Sequence, residues 1–142
     1  MDHVNLVVHE AGHLLFSWFG QTLGLWGGTL LQWLVPVLLA LYFLAHCHAT
    51  GFAFCTFMFS ENLLYSATYM ADARRQTLPL VTVGDAGTAR HDWATIFSSM
   101  GVLQYDTTIA AVVRLIGWIG MIGTVVWLAR QRSSDPASKA SS

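Results

Sequence analysis

Charged residues are scarce in this chain, and their scarcity restricts the class of protein. Asp, Glu, Lys and Arg make up 11% of the 142 residues, against about 25% in a typical soluble domain. Hydrophobic residues reach 54%, and the mean hydropathy is positive at +0.50. So few polar groups cannot coat a soluble globule of this size. The composition therefore predicts an integral membrane protein that has the lipid bilayer as a partner.

Cysteine and net charge are also low, and each excludes a class of protein. The two cysteines, Cys47 and Cys55, do not form a disulfide framework, and we expect free thiols. The formal net charge is −1, so nothing indicates a nucleic-acid partner. No basic segment precedes the first apolar stretch, and we therefore expect that stretch to stay in the mature protein rather than to act as a cleaved signal peptide.

Apolar stretches predict an all-α membrane protein with about four membrane helices. They cover about residues 4–19, 29–45, 51–73 and 107–129. The first is short for a hydrocarbon layer of roughly 30 Å, so we expect it only to dip into the membrane. The pair Gly27-Gly28 precedes the second stretch, and Pro36 is expected to kink it.

The polar residues between the last two stretches contain one further predicted helix. Residues 91–100 have apolar side chains at helical spacing, which predicts a short helix lying at the membrane interface. The polar segment between the last two stretches and the C-terminal tail each carry three Lys or Arg residues. The positive-inside rule therefore does not predict the orientation in the membrane. We expect residues 1–130 to form one membrane-embedded metal-binding domain, followed by a disordered polar tail at 131–142.

The stretch His9-Glu10-Ala11-Gly12-His13 is the strongest chemical signal, because it matches the zinc-binding pattern H-E-x-x-H inside an apolar run. Residues four apart project from one face of a helix, so His9 and His13 can present their imidazoles to one Zn²⁺ ion. Glu10 lies about 100° around the same helix, where it could take a proton from metal-bound water. A carboxylate in apolar surroundings is costly without a partner, which favours a functional interpretation.

A catalytic zinc site needs three protein ligands and an open position for water, so a third ligand is required. We expect it to come from the set Asp72, His91 and Asp92, with Glu61 next. Glu61 matches the histidine pair in depth, but it could instead orient a ligating histidine, with Asn62 as a supporting residue.

Structural interpretations of these carboxylates stay open. Glu61 could form an ion pair with Arg114 on the last predicted span. Asp72 could be a solvated helix end that pairs with Arg75. Asp92 could be a favourable negative charge at the N-terminus of the short helix.

The ordered motifs resemble a known family. H-E-A-G-H on the first of a few membrane helices resembles the membrane-embedded zinc metallopeptidases of the site-2 protease type. More narrowly, the chain up to about Asp106 is similar to small bacterial membrane proteins that share its motifs in the same order: His9–His13, Gly27-Gly28, Glu61-Asn62-Leu63-Leu64, Tyr69–Arg74, Leu78-Pro79-Leu80 and His91-Asp92-Trp93. The resemblance implies zinc bound by His9 and His13, water activated by Glu10, and a place in the bacterial inner membrane. The N-P-D-G or L-D-G motif that supplies the third ligand in site-2 proteases is not present in this sequence.

Three classes of function follow from these residues. The first is a membrane-embedded zinc-dependent hydrolase, in particular a metallopeptidase acting on a membrane-protein or peptide substrate. The second is a non-catalytic, zinc-stabilised accessory subunit of a larger membrane complex, which the small size of the chain favours. The third is a haem or copper electron carrier. A b-type haem needs two axial histidines from facing helices, whereas the strong pair here lies on one helix.

Overall fold

A computed structural model describes residues 3–78 and 91–134, and within these ranges the protein is all-helical, as predicted. Five α-helices follow one another along the chain: α1 His3–Ser17, α2 Gln21–Ala45, α3 Ala49–Ala71, α4 Asp92–Ser99 and α5 Asp106–Ser134. A short 3-10 turn at Leu103–Tyr105 leads into α5. Most of Leu78-Pro79-Leu80 and all of residues 135–142 lie outside the described residues.

The four long helices pack in a row. Helix α1 packs on α2, α2 on α3, and α3 on α5, so that α1 and α5 stand at the two ends. The short helix α4 crosses α2 and α3 and completes a buried apolar core with residues of α3 and α5: Met70, Ala73, Trp93, Ile96, Phe97 and Ala110. Trp26 of α2 meets Trp93 edge to face, with ring centroids 5.6 Å apart. These contacts anchor α4 by its apolar face and fix the position of its N-terminal residue, Asp92.

Two stretches are long and apolar enough to cross a membrane, by length and composition: α2 and Leu103–Gln131, which contains most of α5. Helix α1 has 15 residues, fewer than the roughly 20 that a span requires. Helix α3 is 23 residues long but carries the polar residues Ser60, Glu61 and Asn62 near its middle. The arrangement with four membrane helices therefore stays a prediction, matched in two helices by length and composition.

Helices α4 and α5 differ from their predicted forms in small ways. The large apolar side chains of α4, Trp93, Ile96 and Phe97, are buried against the protein, and the place of this helix at a membrane interface stays a prediction. Helix α5 continues to Ser134, so the first four residues of the predicted tail, 131–134, are helical. Gln and Arg are good helix formers, and the next proline in the sequence is Pro136, so nothing ends the helix earlier.

Gly27 and Gly28 lie inside α2 rather than before it, which corrects the predicted start of this helix at 29. Glycine in a helix interior costs about 0.5–1 kcal/mol relative to alanine, so its presence here needs a reason. A Cβ at Gly12 of α1 would clash with the Gly27 carbonyl, and a Cβ at Gly27 would clash with Gly12 in return. The missing side chains let the backbones of α1 and α2 touch, as small residues do between membrane helices. This contact fixes the height at which α1 presents its histidines.

Two contacts hold α3 against α5. Gly117 and Gly120 of α5 lie over Ser60 of α3, and a Cβ at either glycine would come too close to Ser60. Asp106, fully buried at the start of α5, accepts hydrogen bonds from Arg74 Nε at 2.9 Å and Nη2 at 2.8 Å. The end of α3 is therefore tied to the start of α5, beside the apolar core that α4 completes.

Candidate metal centre

Helices α1 and α4 bring three metal-ligating side chains together. The Nε2 atoms of His9 and His13 lie 3.1 Å apart, and each lies 3.3 Å from Asp92 Oδ2. Tetrahedral zinc with bonds of about 2.0–2.1 Å separates its ligand atoms by about 3.3–3.4 Å. The three atoms thus have nearly the spacing of one face of a zinc tetrahedron. Among the described residues, this is the one group of three or more His, Cys, Asp or Glu side chains close enough to hold a metal.

The other ring nitrogen of each histidine faces a hydrogen-bond acceptor. His13 Nδ1 lies 2.7 Å from the carbonyl oxygen of Gly24, and His9 Nδ1 lies 3.3 Å from Gln32 Oε1. Because a carbonyl oxygen only accepts, these contacts place a proton on Nδ1 and leave Nε2 for a metal. Metal-binding histidines in proteins are usually held in this way. Both rings therefore have the orientation that a metal ligand binding through Nε2 would need.

The charge and exposure of the cluster also suit a cation. Burial opposes ionisation of Asp92, but when His13 and His9 carry a proton on Nε2 their hydrogen bonds to Asp92 outweigh burial and hold the pKa of that carboxyl below its usual value. With both Nδ1 atoms protonated, the cluster presents two nitrogen lone pairs and a carboxylate to one point, and these repel unless a proton or a metal ion lies between them. The side chains of His9, Asp92 and His13 are 7%, 14% and 27% exposed, so the site is most open at His13.

Gly28 forms the wall of the cluster on the α2 side. A Cβ at this position would come within 2.7 Å of the Nε2 atoms of His9 and His13. Glycine therefore leaves room beside the two nitrogens for an ion. Imidazole nitrogens and a carboxylate oxygen are ligands that zinc accepts, so the residues fit the predicted metal.

Asp72 and His91, the other two leading ligand candidates, form a separate pair outside the cluster. Asp72 accepts hydrogen bonds from Thr77 N at 3.0 Å, Thr77 Oγ1 at 2.7 Å and Leu78 N at 2.9 Å. His91 accepts the Ala94 N–H at Nδ1, which caps α4, and its Nε2 lies 3.6 Å from Asp72 Oδ2. Burial lowers the pKa of His91, which favours the neutral ring. The pair lies where the end of α3 meets the start of α4.

The two glutamates occupy different surroundings. Glu10 is half-buried on α1 and directly follows His9 in the chain. Glu61 is half-buried on α3 and forms no ion pair with the exposed Arg114 in the part of the chain that the structure describes. Glu10 is therefore near the metal centre, whereas Glu61 is not among the three clustered ligands.

The sequence interpretation missed three residues of the centre: Gly24, Gly28 and Gln32. Gln32 is 2% exposed and is a polar residue in an otherwise apolar stretch of α2. The rule that a polar group at membrane depth is a functional candidate would have selected it. The two glycines gave no such signal, because their importance depends on which helix lies against them.

Comparisons of the chain with protein-family models, with curated proteins and with solved structures find no match. The resemblance to site-2 proteases thus stays a prediction, and the function is inferred from the geometry of the described residues.

Proposed function

We propose that this chain is a membrane-embedded, zinc-dependent hydrolase of the metallopeptidase class. The observation that carries the proposal is the triangle of His9 Nε2, His13 Nε2 and Asp92 Oδ2, with edges of 3.1, 3.3 and 3.3 Å. Three protein ligands leave one position for water or substrate, which is the arrangement of catalytic zinc sites. Glu10 supplies the remaining group that hydrolysis requires, a base on the same helix.

Each of these residues would have a separate role in the reaction. Bound zinc supplies Lewis-acid activation of water and of a substrate carbonyl. His9, His13 and Asp92 hold the ion, with the rings fixed by Gln32 and Gly24 through Nδ1. Glu10 accepts the proton of the attacking water and returns it to the leaving amine, which is general acid–base catalysis. Substrate reaches the centre at His13, the most exposed ligand.

The membrane setting is supported by apolar surface that the fold leaves uncovered. Only 28% of the apolar window in α2 and 11% of that in Leu103–Gln131 is buried within the protein. Apolar surfaces of this extent mark contact with a membrane or another protein. We propose that α2, α3 and α5 span the bacterial inner membrane and that α1 dips into it. A membrane-protein or peptide segment is then the substrate that meets the centre.

One observation favours a second candidate, a non-catalytic zinc-stabilised subunit of a larger membrane complex. The ligands come from α1 and α4, and α1 otherwise packs mainly on α2. A metal ion would therefore tie the first helix to the rest of the fold, as structural zinc does. Structural sites usually have four protein ligands, however, and the described cluster offers three. The hydrolase is thus better supported by the ligand count.

Metal analysis and a hydrolysis assay test the proposal together. Wild-type protein purified in detergent should contain one zinc per chain, and His9→Ala and His13→Ala should remove it. The exposed His48 offers a matched control, and His48→Ala should retain zinc. Unchanged zinc in both α1 variants would refute the site. Zinc without turnover of any membrane-peptide substrate, together with co-purifying stoichiometric partners, would favour the accessory subunit.

A further inference from the structure

A proline in α2 leaves one backbone carbonyl without its helical partner. Pro36 is buried inside the helix and has no backbone N–H. In a regular helix the N–H of residue 36 would donate to the carbonyl of Gln32, four residues earlier. Asn62 of α3 replaces that donor, because its Nδ2 lies 2.8 Å from the Gln32 carbonyl oxygen. Asn62 is 3% exposed, so an unpaired carbonyl at this depth would be costly.

The side chain of Gln32 then contacts the metal centre. Its Oε1 atom lies 3.3 Å from His9 Nδ1, near the long end of the range for a hydrogen bond. With Oε1 turned to the ring, His9 donates from Nδ1 and offers Nε2 to a metal. With the amide reversed, Gln32 would donate to Nδ1, and the proton of a neutral ring would sit on Nε2, where it blocks metal binding. The placement of Gln32 therefore decides whether His9 is a ligand.

We infer that Asn62 is a positioning residue for the metal centre, which it reaches through Gln32 and His9. By donating a hydrogen bond to the Gln32 carbonyl that Pro36 leaves unpaired, Asn62 fixes the backbone of Gln32. The fixed backbone in turn keeps Oε1 within reach of His9 Nδ1. The inference rests on the proposed metal site and adds a residue of α3 that does not itself contact the ligand atoms.

Ser66 provides a matched control on the same helix. It lies one turn after Asn62, is similarly buried, and also joins α3 to α2, because its Oγ accepts a hydrogen bond from Trp33 Nε1 at 3.1 Å. This hydrogen bond involves no atom of Gln32 or His9. Loss of the Ser66 contact therefore reports what a purely structural link between the two helices contributes.

The experiment measures the affinity of the full chain in detergent for zinc, by competition with a chelator, and records the visible spectrum with Co²⁺. Asn62→Leu removes the donor and should weaken zinc binding by about 10–100-fold, the usual effect of losing a partner of a metal ligand. It should also alter the Co²⁺ spectrum. Ser66→Ala should leave both unchanged. Equal losses in the two variants would overturn the inference, since Asn62 would then act only by joining the helices.

A second background separates positioning from misfolding. Pro36→Ala supplies a backbone N–H for the Gln32 carbonyl, so Asn62→Leu should cost much less zinc affinity there than in the wild-type background. An equal cost in both backgrounds would overturn the inference. Failure of the wild-type chain to bind zinc would instead refute the proposed function. Zinc binding by the wild type with no change in Asn62→Leu would refute only the role of Asn62.

Discussion

Gly28 of α2 faces His13 of α1 so closely that a Cβ at Gly28 would lie 2.6 Å from His13 Nε2. The same Cβ would lie 2.7 Å from His9 Nε2. Neither ring can rotate away without losing the contact at its Nδ1 atom. That contact is with the Gly24 carbonyl for His13 and with Gln32 Oε1 for His9. A side chain at position 28 would therefore fill the space beside the two ligand nitrogens.

Gly28→Ala should abolish zinc binding although no ligand is changed. The added methyl group would displace both imidazoles or occupy the position of the ion. We expect the zinc content of the purified variant to fall close to zero by elemental analysis, while the helical circular dichroism signal is retained. Full zinc occupancy in Gly28→Ala would contradict the assignment of His9 and His13 as ligands to a common ion.

Gly123→Ala is the control for this substitution. Gly123 also lies inside a helix, but a Cβ there would have no atom within 4 Å apart from its chain neighbours and the backbone of its own helix turns. Alanine is favoured over glycine in a helix by about 0.5–1 kcal/mol, so this variant should keep its zinc and gain slightly in stability. The pair of variants separates a change in helix propensity from a change at the metal centre.

The parts of the centre that the sequence could predict are those set by local helix geometry. His9 and His13 share a face because they are four residues apart on one helix, whatever surrounds them. The sequence predicts several candidates for the third ligand, because the choice depends on how α4, far along the chain, packs back against α1. Asp92 joins the histidines because the apolar face of α4 is buried in the core. No local pattern distinguishes Asp92 from its neighbour His91.

Some of the residues that support the candidate ligands can be predicted from the sequence. Pro36 was interpreted only as a kink, although a proline also leaves the carbonyl four residues earlier unpaired, which directs attention to Gln32. The partner of that carbonyl, Asn62, was predicted as a supporting residue from its place in an apolar helix. Gly27 and Gly28 are predicted to precede α2, whose apolar stretch begins at about residue 29. Only the close backbone contact with α1 explains why they lie within it.

Substitutions of Asp92 and Asp72 should have different effects on zinc binding and on stability. Asp92→Ala removes an atom of the ligand triangle and should lower zinc affinity by several orders of magnitude. Asp72→Ala should keep zinc but lower the unfolding free energy by about 1–3 kcal/mol, because it leaves the partners of Asp72 at Thr77 and Leu78 unsatisfied. Chelator competition and thermal unfolding in detergent measure the two effects. Loss of zinc from Asp72→Ala with retention in Asp92→Ala would reverse the assignment.

Zinc binding should require a side chain at position 32 that accepts a hydrogen bond. Gln32→Leu removes the acceptor facing His9 Nδ1 and should weaken zinc binding by about 10–100-fold. Gln32→Glu keeps an acceptor that cannot be reversed, and a carboxylate on the far ring nitrogen raises the basicity of a metal ligand. We therefore expect its zinc affinity to equal or exceed that of the wild type. Equal weakening in both variants would show that an acceptor facing His9 Nδ1 does not support zinc binding, since Gln32→Glu keeps both the size of the side chain and the acceptor.

Glu10→Gln should retain zinc and lose hydrolysis. The amide is nearly isosteric with the carboxylate but cannot accept the proton of the attacking water, whereas His9 and His13 still hold the ion. General acid–base catalysis contributes about 10²–10⁴-fold, so a fall in kcat of that size is expected with a membrane-peptide substrate. Glu61→Gln is the matched control, because Glu61 is the other glutamate, is also half-buried, and lies outside the ligand cluster. Equal turnover by wild type and Glu10→Gln, with zinc content verified in both, would remove Glu10 from the mechanism.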